Sequence, residues 1–539
     1  MLAKSDIVPL WSSMVSHSGL GRCLGQRRRW RRDGSTMSKV TAPSAFCVSA
    51  VRQAYPCADD RFIASIAPTD SPESIPSFKD VYDELLDVAT PRRVAERRGL
   101  SLLENALERT VGIGDDLPGT PDDLLQWMDA SAHRATDAYQ NYLAARKAGA
   151  PRRFFKNRSH ALHFLQAVAP TKLVDGSWLY GALRHGNDAR LLGLVQTYLE
   201  ELGNGDVTKN HVLLYRELLH ANGLSEGGHL PDDYFEQGAI QLALGHTIEH
   251  MLPEVIGFNL GYEQLPLHLL ITSYELNELG IDPYYFTLHV TVDNADSGHA
   301  RKAVDAVSQN MGRFADADEF WARVRRGYRL NELGLGTNAV IARFNQEEEV
   351  LRILSAKSVA GAGAHSDYCR IEGRTVNQWL SEPQGVRGFV DALVRKDWIL
   401  MNQAPAESRF WQLLVGDRAE MFGVFSDYEL QVIHDWIRGE ASADGRRFDS
   451  PPPKADEQPT RVLSFRAAQK LRARVADAGA LSPKTATAVP LLRRMPDRAA
   501  NDIHGEAERD VLDLLAPDAH WTPDGLAATQ RWVRSMRGE

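Results

Sequence analysis

The chain has 539 residues, with 62 lysines and arginines against 71 aspartates and glutamates, a net charge of −9, 43% hydrophobic and 25% charged residues. That length allows roughly two to four ordinary domains, the acidic balance argues against a protein built to neutralise nucleic-acid phosphates, and no run approaches the ~18 consecutive apolar residues of a membrane span. Cys23, Cys47, Cys57 and Cys369 show no CxxC spacing, which excludes a disulfide scaffold or a cysteine-only zinc site and makes a reducing cytoplasm the expected compartment.

Residues 1–75 read as a disordered leader. Arg27, Arg28, Arg29, Arg31 and Arg32 surround Trp30 and a Ser/Thr/Pro-rich stretch follows, without the apolar region that an export signal requires. An organellar transit peptide or a nucleic-acid arm is the competing reading. From Phe78 to about Gly439 apolar residues recur at helical spacing, as in Val81-Tyr82-Leu85-Leu86 and Leu102-Leu103-Ala106-Leu107. Pro118 to Pro121 and Gly149-Ala150-Pro151 interrupt the pattern, and Ala303–Tyr328 is expected as one long helix. Strand and hairpin signals are scarce. The expected organisation is an N-terminal helical extension over 76–160, a central helical domain over 161–335 and a C-terminal helical extension over 336–440. A Pro451-Pro452-Pro453 linker over 441–460 and a charged, partly helical tail over 461–539 follow. Trp379, Trp398, Trp411 and Trp436 of the C-terminal extension are expected to pack a core.

The stretch Leu199–Ala300 concentrates carboxylates and imidazoles, among them Glu200, Glu201, His211, Glu217, His220, Glu254, Glu263, His289, Asp293, Asp296 and His299. An all-helical protein builds a two-metal site from such side chains on facing helices. At 100° per residue, His289 and Asp293 lie about 40° apart and Asp296 about 20° from His289, whereas His299 needs a local widening of the helix. Gly298 would ease that widening. His211 opens a helix after the Gly203-Asn204-Gly205 turn, a position that suits a cap as well as a ligand. Glu254 and Glu263 sit in an apolar helix, where a buried carboxylate needs a cation, a proton or a hydrogen-bond partner.

The order of these residues resembles the haem-oxygenase-like non-haem diiron oxidases and oxygenases, also described as iron-containing redox enzymes. The resemblance rests on Glu201-Leu202-Gly203-Asn204-Gly205, His211 ten residues on, Asn222-Gly223-Leu224, and Glu263-Gln264-Leu265-Pro266. It continues through Leu279-Gly280-Ile281-Asp282 and Tyr285-Phe286-Thr287-Leu288-His289 with Asp293, and covers about Leu162 to Tyr328. It implies an all-α, haem-oxygenase-like helical bundle with additional helices at both ends, two Fe(II) ions and O₂ as co-substrate. It further implies Glu201, His211, Glu263, His289 and Asp293 as metal ligands. The sixth position departs from the pattern, because Asp296 stands where the family has His. His299 through a local bulge is the expected sixth ligand and Asp296 the alternative, while Glu254 could replace or supplement Glu263. The implied activity is oxidation of a small amino-acid-like or fatty-acid-like substrate, with Phe258, Leu260, Tyr262, Phe286 and Leu288 lining an apolar cavity. A small-molecule substrate is the expected partner, neither a nucleic acid nor a membrane is, and a homodimer is the assembly entertained.

Two other readings compete. One is a helical scaffold or binding protein with a degenerate metal site. The other is a zinc peptidase, because His246-Thr247-Ile248-Glu249-His250 matches H-x-x-E-H, in which two histidines one turn apart bind zinc and the glutamate is the base. A ferritin-like site would use Glu217 and His220 as an E-x-x-H pair but lacks a second such pair.

Overall fold

Ser77 starts the first helix with a capping box. Its side chain accepts from the Asp80 amide while the Asp80 carboxylate accepts from the Ser77 amide, satisfying two donors that a helix start would leave bare. The computed structural model describes residues 76–292, 298–361, 363, 365, 367–381, 385–416, 419–449 and 511–537. The leader 1–75, most of the linker and the first part of the tail therefore lie outside the described residues, as do Asp293 and Asp296.

The protein is all-α. Its helices in chain order are α1 (Phe78–Leu86), α2 (Arg92–Arg109), α3 (Leu124–Lys147), α4 (Arg158–Ala167), α5 (Ala169–Lys172), α6 (Leu192–Glu201) and α7 (His211–Ala221). Then come α8 (Glu236–His246), α9 (Ile248–Tyr262), α10 (Leu267–Glu278), α11 (Tyr284–Val292), α12 (His299–Met311) and α13 (Ala317–Arg329). The C-terminal extension holds α14 (Thr337–Ala342), α15 (Gln346–Gly361), α16 (Val376–Leu380), α17 (Gly385–Arg395), α18 (Arg409–Leu414) and α19 (Asp427–Arg438). The last two helices are α20 (Val511–Leu514) and α21 (Pro523–Arg537). Among the described residues the only strand pairing is Arg370–Ile371 with Arg374–Thr375.

The single long helix expected over Ala303–Tyr328 is instead α12 and α13. Asp316 adopts an extended conformation and accepts from the amides of Asp318 and Glu319. An Asx cap of this kind competes with helix continuation and starts a new one. The apolar pattern looks continuous because both pieces face the same core, α12 through Val304 and Val307 and α13 through Phe320 and Val324.

One large core runs through α1–α15 and takes in Trp178, Tyr198, Tyr215, Phe258 and Phe286, all fully buried. Helices α9 and α13 cross closely, and a Cβ on Gly327 would lie 2.1 Å from the Glu254 carbonyl oxygen. A second cluster contains Trp379 and Trp411, with Trp398 and Trp436 packed against it. Trp379 and Trp411 are therefore core residues, and Trp398 and Trp436 half-buried ones at its edge. No described helix is long and apolar enough to cross a membrane.

Candidate metal centre

Five helices and one turn deliver ligand-type side chains to the middle of the bundle. Glu201 is the last residue of α6 and Glu263 the C-cap of α9. His211 and His299 are the first residues of α7 and α12. His289 sits within α11, and Asp175 lies in the turn between α5 and a 3-10 helix over Ser177–His185. All six are at most 6% exposed. They form two groups that share Glu201. Asp175, Glu201, His211 and His289 each offer an atom within 4.8 Å of the others, and so do Glu201, Glu263 and His299.

The hydrogen-bond partners of the rings indicate which nitrogen carries the proton. His289 Nδ1 lies 2.8 Å from the Tyr285 carbonyl oxygen, which can only accept, so Nδ1 carries the proton. Burial, then the neighbouring His211, lowers the His289 pKa and keeps the ring neutral. Its Nε2 lone pair then faces Asp175 Oδ2 at 2.9 Å. Two lone pairs aimed at each other across that distance suit donors to one cation. His299 is oriented in the same way but, against the cost of burial, is held protonated by the carboxylates around it, Glu263 first. Nε2 is 2.8 Å from Glu200 Oε2, while Nδ1 lies 3.0 Å from Glu201 Oε1 and 3.2 Å from Glu263 Oε2. A carboxylate behind the ring and carboxylates in front of it match the orientation of metal-binding histidines. Glu200 is itself held by Lys302 at 2.5 Å.

Charge is balanced locally. Burial opposes ionisation of Asp175, but the Lys172 ammonium, with the imidazoles of His211 and His289 close by, holds its carboxyl far below the usual range. Tyr285 donates to Asp175 Oδ2 at 2.7 Å and Tyr262 to Oδ1 at 3.3 Å, with Lys172 Nζ 3.1 Å from the Tyr262 oxygen. Burial disfavours charge on His211, yet the carboxylates of Glu201 and Asp175 raise its pKa to about 10. Burial raises the Glu263 pKa against the pull of His299. Protons thus occupy the centre where a cation would neutralise it. Glu201 Oε2, His211 Nδ1 and Glu263 Oε1 are buried without a hydrogen-bond partner, although Glu201 and His211 are in ionic contact. Buried polar atoms are ordinarily satisfied. Mixed imidazole and carboxylate donors fit iron.

The structure brings together Glu201, His211, Glu263, His289 and His299 and adds Asp175. His299 does not reach the site through a bulge in the helix of His289. Gly298 is extended, with ψ −166, and a new helix starts at His299. Glu254 is not part of the centre, because both its oxygens are taken by Arg323, at 2.8 and 2.6 Å. Its burial is explained by a cation, but the cation is a guanidinium from α13. The H-x-x-E-H match also dissolves. It straddles the break between α8 and α9, His246 Nε2 contacts the Leu85 carbonyl oxygen at 2.9 Å and His250 Nε2 contacts Glu96 at 2.8 Å.

Asp175 was missed because it lies outside the dense stretch. The argument used for Glu254 and Glu263 would have found it, since Leu173-Val174-Asp175-Gly176 also places a lone carboxylate among apolar residues. Beside the centre lies a cavity of about 260 Å³, lined by Asp175, Glu201, Glu263 and His289 together with Lys172, Trp178, Tyr262, His268, Leu269 and Leu333. Of the five residues expected to line it only Tyr262 does. Phe258, Leu260 and Phe286 are fully buried in the core instead, and Leu288 is not among the lining residues.

No curated protein and no solved structure matches the chain. Residues 162–332, the stretch that holds every side chain of both groups, match the model of the iron-containing redox enzyme family.

Proposed function

We propose that the protein is a non-haem diiron enzyme that uses O₂ to oxidise a small organic substrate. The observation that carries this reading is the pair of buried donor groups joined at Glu201. A shared carboxylate at the junction of two donor sets is how a helical bundle holds two metal ions side by side. Asp175, His211 and His289 would hold one iron and Glu263 and His299 the other, with Glu201 between them. Bound iron would supply the electrons that reduce O₂.

The residues of the chain do the rest. Glu200 fixes the His299 ring and the Tyr285 carbonyl fixes that of His289, so His289 turns a lone pair inward and His299 Nδ1 would do so once a cation displaced its proton. Tyr262 and Tyr285 hold the Asp175 carboxylate from behind. The cavity is smaller than the ~300–1,000 Å³ of sites for drug-sized ligands, which supports a substrate of amino-acid size or a short aliphatic chain. Burial pushes the His268 pKa down to about 4, so this ring faces the cavity neutral and can accept or donate a hydrogen bond. Trp178, Leu269 and Leu333 add apolar surface to the cavity lining.

The test is iron content and O₂ consumption after anaerobic loading. About two irons per chain are expected, falling to one or fewer in Glu201→Ala. A chain that takes up no iron, or an unchanged content in Glu201→Ala, refutes the reading and favours the scaffold.

A further inference from the structure

The last described segment, residues 511–537, lies far outside the family-matched stretch, yet it packs on the turn that joins Glu201 to His211. That turn is conformationally demanding: Gly203, Asn204 and Gly205 have φ of 64°, 53° and 81°. Its backbone meets α21 directly. Gln530 Nε2 donates to the Gly205 carbonyl at 2.9 Å, and a Cβ on Gly205 would lie 2.6 Å from the Leu526 carbonyl oxygen. Just upstream of the turn, Tyr198 donates to the Leu515 carbonyl at 2.6 Å. Beyond it, the Arg216 guanidinium stacks on Trp521 at 4.0 Å.

The most specific contact is between two fully buried side chains, Asn210 and His520. Asn210 Oδ1 caps α7 by accepting from the Leu213 amide at 3.0 Å. Its Nδ2 donates across the turn to the Leu202 carbonyl at 3.2 Å and to His520 Nδ1 at 3.1 Å. One carboxamide is thereby fixed at three points, and His211 is the next residue. Burial pushes the His520 pKa down to about 3, so its ring is neutral and Nδ1 is free to accept.

We propose that residues 511–537 form a strap that holds the Glu201–His211 turn in ligand geometry, with His520 as the positioning residue that acts on His211 through Asn210. The inference rests on the reading of the centre as a metal site. It assigns a role to a segment with no recognisable chemistry of its own.

The full-length chain carrying His520→Ala tests it, with Trp521→Ala as a control that removes a neighbouring, half-buried contact of the strap, the stack on Arg216, but not the bond to Asn210. Two quantities are read: hydrogen exchange of residues 203–213 in metal-free protein, and Fe(II) affinity in competition with a chelator under anaerobic conditions. For His520→Ala, exchange at least about tenfold faster is expected, together with a loss of iron affinity of about ten- to a hundredfold, the range for outer partners of metal ligands. Trp521→Ala is expected to lower the melting temperature while leaving both quantities within about twofold. Asn210→Ser keeps a capping oxygen but loses the donor to His520, and it should behave as His520→Ala does. Wild-type exchange in His520→Ala and Asn210→Ser, unchanged iron affinity despite faster exchange, or equal effects in Trp521→Ala overturns the proposal. If the unaltered chain binds no iron, the metal reading fails and the role of positioning a ligand falls with it, while the exchange data still decide whether the strap orders the turn.

Discussion

Glu254 and Glu263 are nine residues apart on one helix and its cap, both buried and both glutamates, so alanine at each position separates a structural carboxylate from a candidate ligand. Glu254 receives Arg323 Nε at 2.8 Å and Nη2 at 2.6 Å, with Arg326 at 3.6 Å. Arg323 is 9% exposed and Glu254 2%. Removing one member of a buried pair costs about 3–5 kcal/mol, because the remaining charge stays buried. Arg323 Nη2 keeps a bond to the His250 carbonyl at 2.8 Å, so the lower end, about 3 kcal/mol, applies. With a slope near 2 kcal/mol per molar urea, the midpoint should fall by roughly 1–2 M. Replacing Glu254 and Arg323 together by methionine should recover most of the loss. Glu263 is the opposite case. Oε1 has no hydrogen-bond partner, Oε2 meets His299 at 3.2 Å, and burial raises its pKa. In metal-free protein Glu263→Ala should therefore cost less than about 1 kcal/mol, yet remove iron from one group. The assay is a urea melt of metal-free protein followed by circular dichroism, paired with iron analysis of loaded protein. Full stability in Glu254→Ala, or iron lost in Glu254→Ala and kept in Glu263→Ala, refutes the reasoning.

Asp175→Ala should cut iron content by half or more, because Asp175 closes the group formed with His211 and His289; metal analysis beside the unaltered protein checks this. Glu249→Gln should leave iron content unchanged and reveal no peptide hydrolysis to abolish, since Glu249 contacts His185 and Arg92 at the surface. Acidification should destabilise the fold through His160. Burial pushes its pKa down to about 4, so the unfolded chain takes up a proton near pH 6.5 that the folded chain refuses. Stability present above pH 6.5 is lost as pH falls towards 4, at up to about 1.4 kcal/mol per pH unit for this one group. His160→Gln should flatten the urea-midpoint profile by about one proton between pH 6.5 and 4.5, and an unchanged slope would count against a neutral buried ring.

The all-α class and the existence of individual helices were legible because apolar spacing reports burial. Helix boundaries were less so. The pattern through Met311 and Phe314 ran on into Phe320, and only the capping geometry of Asp316 marks the break. Buried carboxylates in apolar surroundings were also legible, but their partners were not. Glu254 met a guanidinium from α13, and no spacing along α9 foretells which helix crosses it. His520 was invisible for a related reason. It lies 310 residues from its partner Asn210, in a segment whose composition suggests only a charged tail.

Helix-wheel reasoning failed at the site for a deeper reason. Five of the six side chains stand at helix ends or in a turn, and only His289 lies inside a helix. Placement at ends is also electrostatically contrary. Carboxylates gain from helix N-termini and cations from C-termini, whereas here Glu201 and Glu263 end helices and His211 and His299 begin them. An arrangement that forgoes the dipole at four ends is not what stability alone selects. It does suit a centre in which buried carboxylates, rather than helix ends, set the charge of the facing imidazoles: Glu201 and Asp175 hold a proton on His211, and Glu263, Glu200 and Glu201 hold one on His299, where a cation would take its place. Side chains at ends are aimed by caps and turns rather than by the helix lattice, so their precision depends on whatever pins those turns. For His299 the pin is Glu200. For Glu201 and His211 it is Asn210, and behind Asn210 the strap.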